Sequence, residues 1–287
     1  MSCPPSPADS PGDAVPPPTT PAPAGRAART GASPGASPEG DGEPRLHGLV
    51  LAGGRSSRLH SSAPFPAPDK PLLADGSGTL LEAALGALRT AGVPSRRSVV
   101  VGPPFLPVPA GARLVREDPP FTGPAAAIAA GLTALGEATG ADAGPTGGRA
   151  PSPEAGAPRS PRASGDAAGA RPGWVLLLAA DMPRALPALL RLVEALEAAR
   201  AGDAAPSALV AVDEGVEQPL LCLLRLDAAL AAFGRGSEDA SVRSRLRILE
   251  PLPVAVPSGS SADVDTWQDA VELGFTGGAS LPPGEPA

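Results

Sequence analysis

The sequence predicts an α/β domain of three layers, in which a mostly parallel sheet carries helices on both faces. Two observations lead there. From Leu49 onward, short apolar runs alternate with segments whose leucines recur at helical spacing. The longest of these runs, Trp174 to Ala180, ends in Asp181 and Pro183, as a buried strand does where it reaches the carboxyl edge of such a sheet.

The elements follow in order. Residues 1–44 are mostly Pro, Ala, Gly, Ser and Thr without apolar periodicity, and cannot bury enough surface to offset the entropy of ordering them; they are expected to form a disordered tail. The domain is expected over 45–275. A first strand runs into Leu51. Thr79 caps a helix that buries Leu81, Leu85 and Leu88 and stops at Gly92. Ser98 to Gly102 is a second strand, and Leu114–Val115 a third. A helix of small residues through Ile128 and Leu132 can pack very closely against its neighbours. Residues 136–173 return to Gly, Pro, Ala, Ser and Arg and read as a low-complexity insertion within the domain.

Beyond it, Trp174–Ala180 is a strand and residues 187–200 a helix with Leu189, Val193 and Leu196 facing the sheet. Ala208–Val212 and Leu220–Leu224 are strands, and Asp227 caps a short helix reaching Phe233. Residues 237–247 are charged and ambiguous. Leu249–Val256 is a last strand interrupted by prolines, and a helix starts near Thr266. Residues 276–287 are expected to be a second disordered tail. Without the tails and the insertion, roughly 190 residues remain, enough for one buried α/β core.

Composition excludes several classes. The formal charge of −7 does not suit binding to a nucleic-acid backbone. The longest apolar run falls far short of the about 20 residues that cross a bilayer, and no secretory signal pattern precedes Arg45, so no membrane partner and a cytoplasmic location are expected. The two cysteines, Cys3 and Cys222, cannot build a disulfide framework or a zinc site. Cys222 sits in the apolar run LLCLL without an identifiable His-Asp system and reads as core. His47 and His60 are isolated histidines with no ligand partners in view.

The stretch LVLAGGRSSRLHSSAPFPAPDKPLL (residues 49–73) carries the chemistry. Gly53 and Gly54 allow a sharp turn that brings backbone N–H groups against an anion. Arg55 and Arg58 add planar forks of donors that suit phosphate oxygens, and Lys70 adds a compact ammonium. On these residues the stretch resembles the signature of nucleotidyltransferases. RSSRL followed by DKPLL most resembles the molybdenum cofactor guanylyltransferase branch. Here His60 stands where that branch has Gly, and SSAPFPAP lengthens the loop, which is expected to form a surface excursion whose ends return close together.

The resemblance implies a Rossmann-like nucleotidyltransferase domain, a Mg²⁺ cofactor, GTP and molybdopterin as small-molecule partners, and transient contact with molybdoenzyme maturation proteins. It makes Arg58, Lys70 and Asp181 catalytic. It places Leu51 to Arg55, Arg58, Lys70, Asp118 and Gly123 at the nucleotide, with Asp118 accepting hydrogen bonds from guanine and Gly123–Pro124 shaping the pocket floor. Asp181 in AADMP corresponds to a magnesium ligand, with capping of the next helix as the alternative. Asp263 and Asp265 in DVDTW correspond to a segment that adds a ligand near the metal; Asp265 is taken as the second ligand and Asp263 as a substrate contact, although either residue can instead cap the helix that follows. Gln218 in EQPLL corresponds to a substrate contact. The asparagine that the branch often carries after its second strand is absent, because VVVG runs into Pro103 and Pro104.

Two functions of different class follow. One is an enzyme that transfers GMP from GTP to molybdopterin and releases pyrophosphate, with cytidylyl or sugar-phosphate transfer as the near variant. The other is a nucleotide-binding accessory protein in which the lengthened loop keeps Lys70 from the phosphates.

Overall fold

The computed structural model describes residues 44–142, 173–202, 205–234 and 240–278. The expected N-terminal tail up to residue 43, the insertion over 143–172 and the tail from 279 onward lie outside the described residues.

A seven-stranded sheet organises the domain. In sequence order its strands are β1 (Arg45–Leu51), β3 (Ser98–Val101), β4 (Arg113–Val115), β5 (Gly173–Ala179), β6 (Ala208–Asp213), β7 (Val216–Arg225) and β8 (Leu252–Ala255), and in space they run β4-β3-β1-β5-β7-β6-β8. The sheet is mostly parallel, as expected. β7 is the exception, running antiparallel to β5 and β6. It reverses because the two-residue turn Glu214–Gly215, with φ of 50° and 83°, folds β6 straight back into β7.

Side chains alternate across this sheet and define three layers. On one face Val50, Val100, Leu176, Leu178 and Leu223 pack against α2 (Leu80–Thr90) and α4 (Leu186–Ala201). On the other, Leu49, Val99, Leu177, Val210 and Cys222 pack against α3 (Pro124–Asp142), α5 (Leu226–Phe233) and α6 (Val242–Arg247). Thr79 caps α2 in a capping box with Glu82. The small residues of α3 have a steric reason: a Cβ on Gly131 would stand 2.2 Å from Leu49 Cδ1, so the helix lies close on β1 only with glycine there. Cys222 is fully buried, and burial pushes its thiol pKa well up, which suits a core residue.

Four expectations are corrected. The insertion cannot begin at residue 136, because α3 continues to Asp142; tertiary contacts override weak propensity there, with Gly136 close on Leu230 and Glu137 3.5 Å from Arg113. Asp227 is not a cap: β7 runs to Arg225, which takes the N-cap position, and Asp227 sits in the first turn of α5, accepting from the Ala228 N–H at 2.7 Å. The ordered chain does not end at residue 275. Phe275 is buried, and β9 (Gly277–Gly278) pairs with β2 (Leu73–Ala74). The ambiguous 237–247 segment contains α6, and the last strand is confined to Leu252–Ala255 at the sheet edge, where Pro253 costs no ladder partner. No helix among the described residues is long and apolar enough to cross a membrane.

A third, smaller core is built without any strand of the seven-stranded sheet. Leu59 from α1 (Ser57–Ser62), Leu73, Leu80, Val264, and Ala270 from α7 (Trp267–Leu273) pack there with Phe275. It decides where the charged residues go, because Leu59 neighbours Arg58, and Val264 stands between Asp263 and Asp265.

Candidate active site

The cationic half is built by closing one loop. The ends of β1, β3 and β5 are tied together, with Ala52 N–H donating to the Val101 carbonyl and Ala180 N–H to the Leu51 carbonyl, both at 2.8 Å. Gly54 then takes φ 128°, a conformation L side chains rarely adopt. Gly53 has no such φ, so the conformational demand rests on Gly54. Ser56, at φ 47°, stands at the N-cap position of α1 without a side-chain cap bond; its Oγ instead accepts from the Lys70 N–H at 3.1 Å. That bond joins the two ends of the lengthened loop.

The loop between stays at the surface with its ends together, as expected, but it is docked there. The Phe65 ring meets Trp267 edge-on at 4.8 Å, and Ser62 Oγ accepts from the Trp267 N–H at 2.8 Å. The added residues therefore dock on α7, and Lys70 stays within reach of the carboxylates. Lys70 Nζ lies 2.7 Å from Asp265 Oδ1 and 3.1 Å from Asp181 Oδ2, while Arg58 Nη1 bonds Asp265 Oδ2.

The acidic half is assembled from two distant places. Asp181 follows the buried strand β5, and its carbonyl accepts from the Val264 N–H at 3.0 Å. That contact sets Asp263 and Asp265 on either side of a buried valine. One oxygen from each of Asp181, Asp263 and Asp265 lies within 4.8 Å of the others, with Asp263 exposed and the other two partly buried. Neither alternative as a cap is realised for Asp181 or Asp265. Helix α4 takes Ala185 at its N-cap. Helix α7 takes Thr266, which forms a capping box with Asp269, and Asp269 Oδ2 also accepts from the Asp265 N–H at 3.1 Å.

The charges balance unevenly. Partial burial lowers the Lys70 pKa, but Asp181 and Asp265 outweigh it, and the ammonium is held above its ordinary value. The Asp263 carboxyl is pushed up, first by desolvation and then by Asp265 and Asp181 beside it. Repulsion among three carboxylates is what a cation relieves. Three hard oxygen donors also fit a divalent ion that prefers oxygen ligands.

Beside this cluster opens a cavity of about 330 Å³. Leu51, Gly53, Gly54, Arg55, Gly123 and Asp181 line it, with Pro124, Glu117 and Phe121. Ala52 is buried and does not line it. Asp118 is exposed and does not line it; Glu117 does, accepting from the Phe121 N–H at 3.0 Å. Gln218 lies near the start of β7, the end that runs beside the carboxyl end of β5, two residues from the lining Leu220. Arg55 and Arg116 sit over the exposed Phe121 ring at 5.2 and 5.4 Å. Glu117, Arg116 and Phe121 were not singled out by the sequence, although they flank Asp118 and Gly123. His60 lies 3.7 Å from Asp69 within the loop, and His47 is buried in β1.

Comparison with known proteins agrees with this architecture. The family model of the MobA-like NTP transferase domain matches residues 48–252. No curated protein sequence matches significantly. Among solved structures, Rv0371c of Mycobacterium tuberculosis H37Rv is 20% identical with a TM-score of 0.53, covering 80% of this chain and 97% of its own. A nucleotidyl transferase from Methanothermobacter thermautotroptrophicus is 19% identical with a TM-score of 0.52, covering 80% and 96%. A 2-C-methyl-D-erythritol 4-phosphate cytidylyltransferase from Francisella tularensis is 11% identical with a TM-score of 0.50, covering 80% and 98%. At these identities the likeness is one of fold.

Proposed function

The chain belongs to the MobA-like NTP transferase family and is a nucleotidyltransferase, and from that premise we propose that it transfers GMP from GTP to molybdopterin with release of pyrophosphate. The supporting observation is the convergence of Lys70, Arg58 and three carboxylates, one of which, Asp181, lines the glycine-loop cavity. The choice of guanine and molybdopterin rests on the likeness of RSSRL and DKPLL to the guanylyltransferase branch.

In this reading an oxygen of the acceptor phosphate attacks the α-phosphorus of GTP. A new P–O bond forms, the bond between the α-phosphorus and its bridging oxygen breaks, and the electron pair leaves on pyrophosphate. The protein contributes position and charge. The backbone from Leu51 to Gly54 and the side chain of Arg55 hold the triphosphate. Arg58 and Lys70 meet charge that builds on the phosphates, for which Lys70 exchanges a carboxylate partner for phosphate oxygens. Asp181 and Asp265, with Asp263 beside them, would hold Mg²⁺, which when bound neutralises phosphate charge. Gly123 shapes the base pocket, and Gln218 and Asp263 face the acceptor. Asp118 is assigned to guanine by resemblance, and Glu117 is the carboxylate next to it that lines the cavity, so Asp118→Asn and Glu117→Gln separate the two by their effect on KM for GTP. A cytoplasmic location, transient contact with molybdoenzyme maturation proteins and dispensable tails and insertion belong to the same reading.

Pyrophosphate release, measured with GTP, CTP, ATP or UTP against molybdopterin or a sugar 1-phosphate, tests it. GTP with molybdopterin is expected to be fastest. A preference for CTP overturns the base, and a preference for the sugar phosphate overturns the acceptor.

A further inference from the structure

We propose that Asp213, at the end of β6, is a positioning residue that sets the metal affinity of the site by holding the loop that carries Asp263 and Asp265. The inference rests on the metal reading above. Asp213 is 5% exposed. Its Oδ1 accepts from the Gly259 N–H at 3.2 Å, and its Oδ2 accepts from the Ser261 N–H at 2.9 Å and the Ser261 hydroxyl at 2.8 Å. The donors reach Asp213 from 46 and 48 positions along the chain, so they fix one segment against another rather than fold a local turn. All three come from the segment that leads, within a few residues, into Asp263.

The surrounding contacts make that segment a tether. Val256 N–H donates to the Val212 carbonyl at 3.1 Å, and Ser258 Oγ bonds the carboxylate of Glu214 in the β6–β7 turn. Val264 N–H donates to the Asp181 carbonyl. The carboxylate loop is thus pinned at its start by the end of β6 and at its far end by the end of β5. Asp213 supplies the most bonds, and it alone among these anchors holds the middle of the loop by a side chain that is both buried and charged. Burial by itself would raise its pKa, but the bonds from Ser261 and Gly259 outweigh that, so the carboxylate stays ionised and keeps all three acceptor contacts. Without them the loop is free to shift, and Asp263 and Asp265 lose their fixed separation from Asp181. Partners that orient ligands without touching the metal typically contribute 10–100-fold in affinity.

The test uses the full chain and Mn²⁺, which reports its own binding by electron paramagnetic resonance. Mn²⁺ is titrated without nucleotide into wild type, Asp213→Asn, Asp213→Ala, Ser261→Ala and Asp181→Asn, with thermal midpoints recorded in parallel. The expected result is a Kd for Mn²⁺ weakened about 10-fold by Asp213→Ala, less by Asp213→Asn, which keeps an acceptor oxygen, and least by Ser261→Ala. A purely structural role lowers the midpoint while the folded protein keeps its Kd. Affinities within two-fold of wild type in Asp213→Asn and Ser261→Ala overturn the proposal, even if Asp213→Ala does not fold. A wild type that binds no Mn²⁺, or binds it as well after Asp181→Asn, overturns the metal reading and this proposal with it.

Discussion

The cationic segment from Leu51 to Leu73 and the acidic loop from Val256 to Asp269 face each other across the site and are held in opposite ways. The first is one contiguous stretch whose ends are joined locally, by Ser56 Oγ and the Lys70 N–H. The second is turned locally at Pro257–Ser260 and at the start of α7, but long-range contacts bring its carboxylates to Asp181: the ends of β6 and β5 grip its backbone, and Val264 is buried in the small core. Lys70 meets Asp181 across 111 positions of sequence and Asp265 across 195. A locally closed loop absorbs added residues at small entropic cost, since each doubling of length costs only about 0.6 kcal/mol. A loop held by tertiary anchors loses its geometry when one anchor goes. The accessory reading relied on Lys70 falling short of the phosphates; with the loop closed at Ser56 and docked on α7, Lys70 reaches the carboxylates of Asp181 and Asp265.

This contrast is open to test, and the largest effect is expected at the point where the two halves meet. Asp181→Asn keeps the shape of the side chain and removes its charge. Pyrophosphate release should fall about 10²–10³-fold with the circular dichroism spectrum unchanged. A near wild-type rate at limiting Mg²⁺ would place the chemistry elsewhere.

Next comes the small core shared by both halves. Leu59 is fully buried among Leu73, Leu80 and Val264, so Leu59→Ala should cost about 2–5 kcal/mol in denaturant unfolding. A cost below 1 kcal/mol would mean that the two halves are joined by charge alone and that the contrast between them is overdrawn.

Phe65→Ala should cost less, about 1 kcal/mol, because the half-exposed ring loses mainly its edge contact with Trp267. Turnover should change little, since Ser56 still closes the loop. A loss of turnover as large as that from Asp181→Asn would show that docking on α7, not local closure, carries Lys70.

The acidic half also has a pH signature. Asp213 titrates below its ordinary 3.8, so its stabilisation is present above the unfolded value and is lost as pH falls through the lower folded one. The difference in thermal midpoint between wild type and Asp213→Asn should therefore hold at neutral pH and narrow below about pH 4. A difference that grows with acid would have the sign wrong. The smallest effect is expected from deleting residues 1–43, which should leave both the unfolding midpoint and turnover within error; a lost cooperative transition would make that segment part of the domain.

Much of this protein was determined by its sequence alone. Period-2 and period-3.6 apolar spacing is a local property, and it placed most strands and helices, the order of layers and the glycine turn within a residue or two. The cationic half was legible for the same reason, because Arg55, Arg58 and Lys70 lie in one stretch. Asp181 was legible because a buried strand points at it. The reversal of β7, the run of α3 to Asp142 and the pairing of Gly277–Gly278 with β2 depend on partners far along the chain. So does the choice between capping and clustering for Asp265, and so does Glu117, not Asp118, lining the cavity. Asp213 stands at the end of an apolar strand just as Asp181 does. Only the tertiary structure separates them, turning one carboxylate toward the open site and closing the other under three donors from a loop nearly fifty residues away.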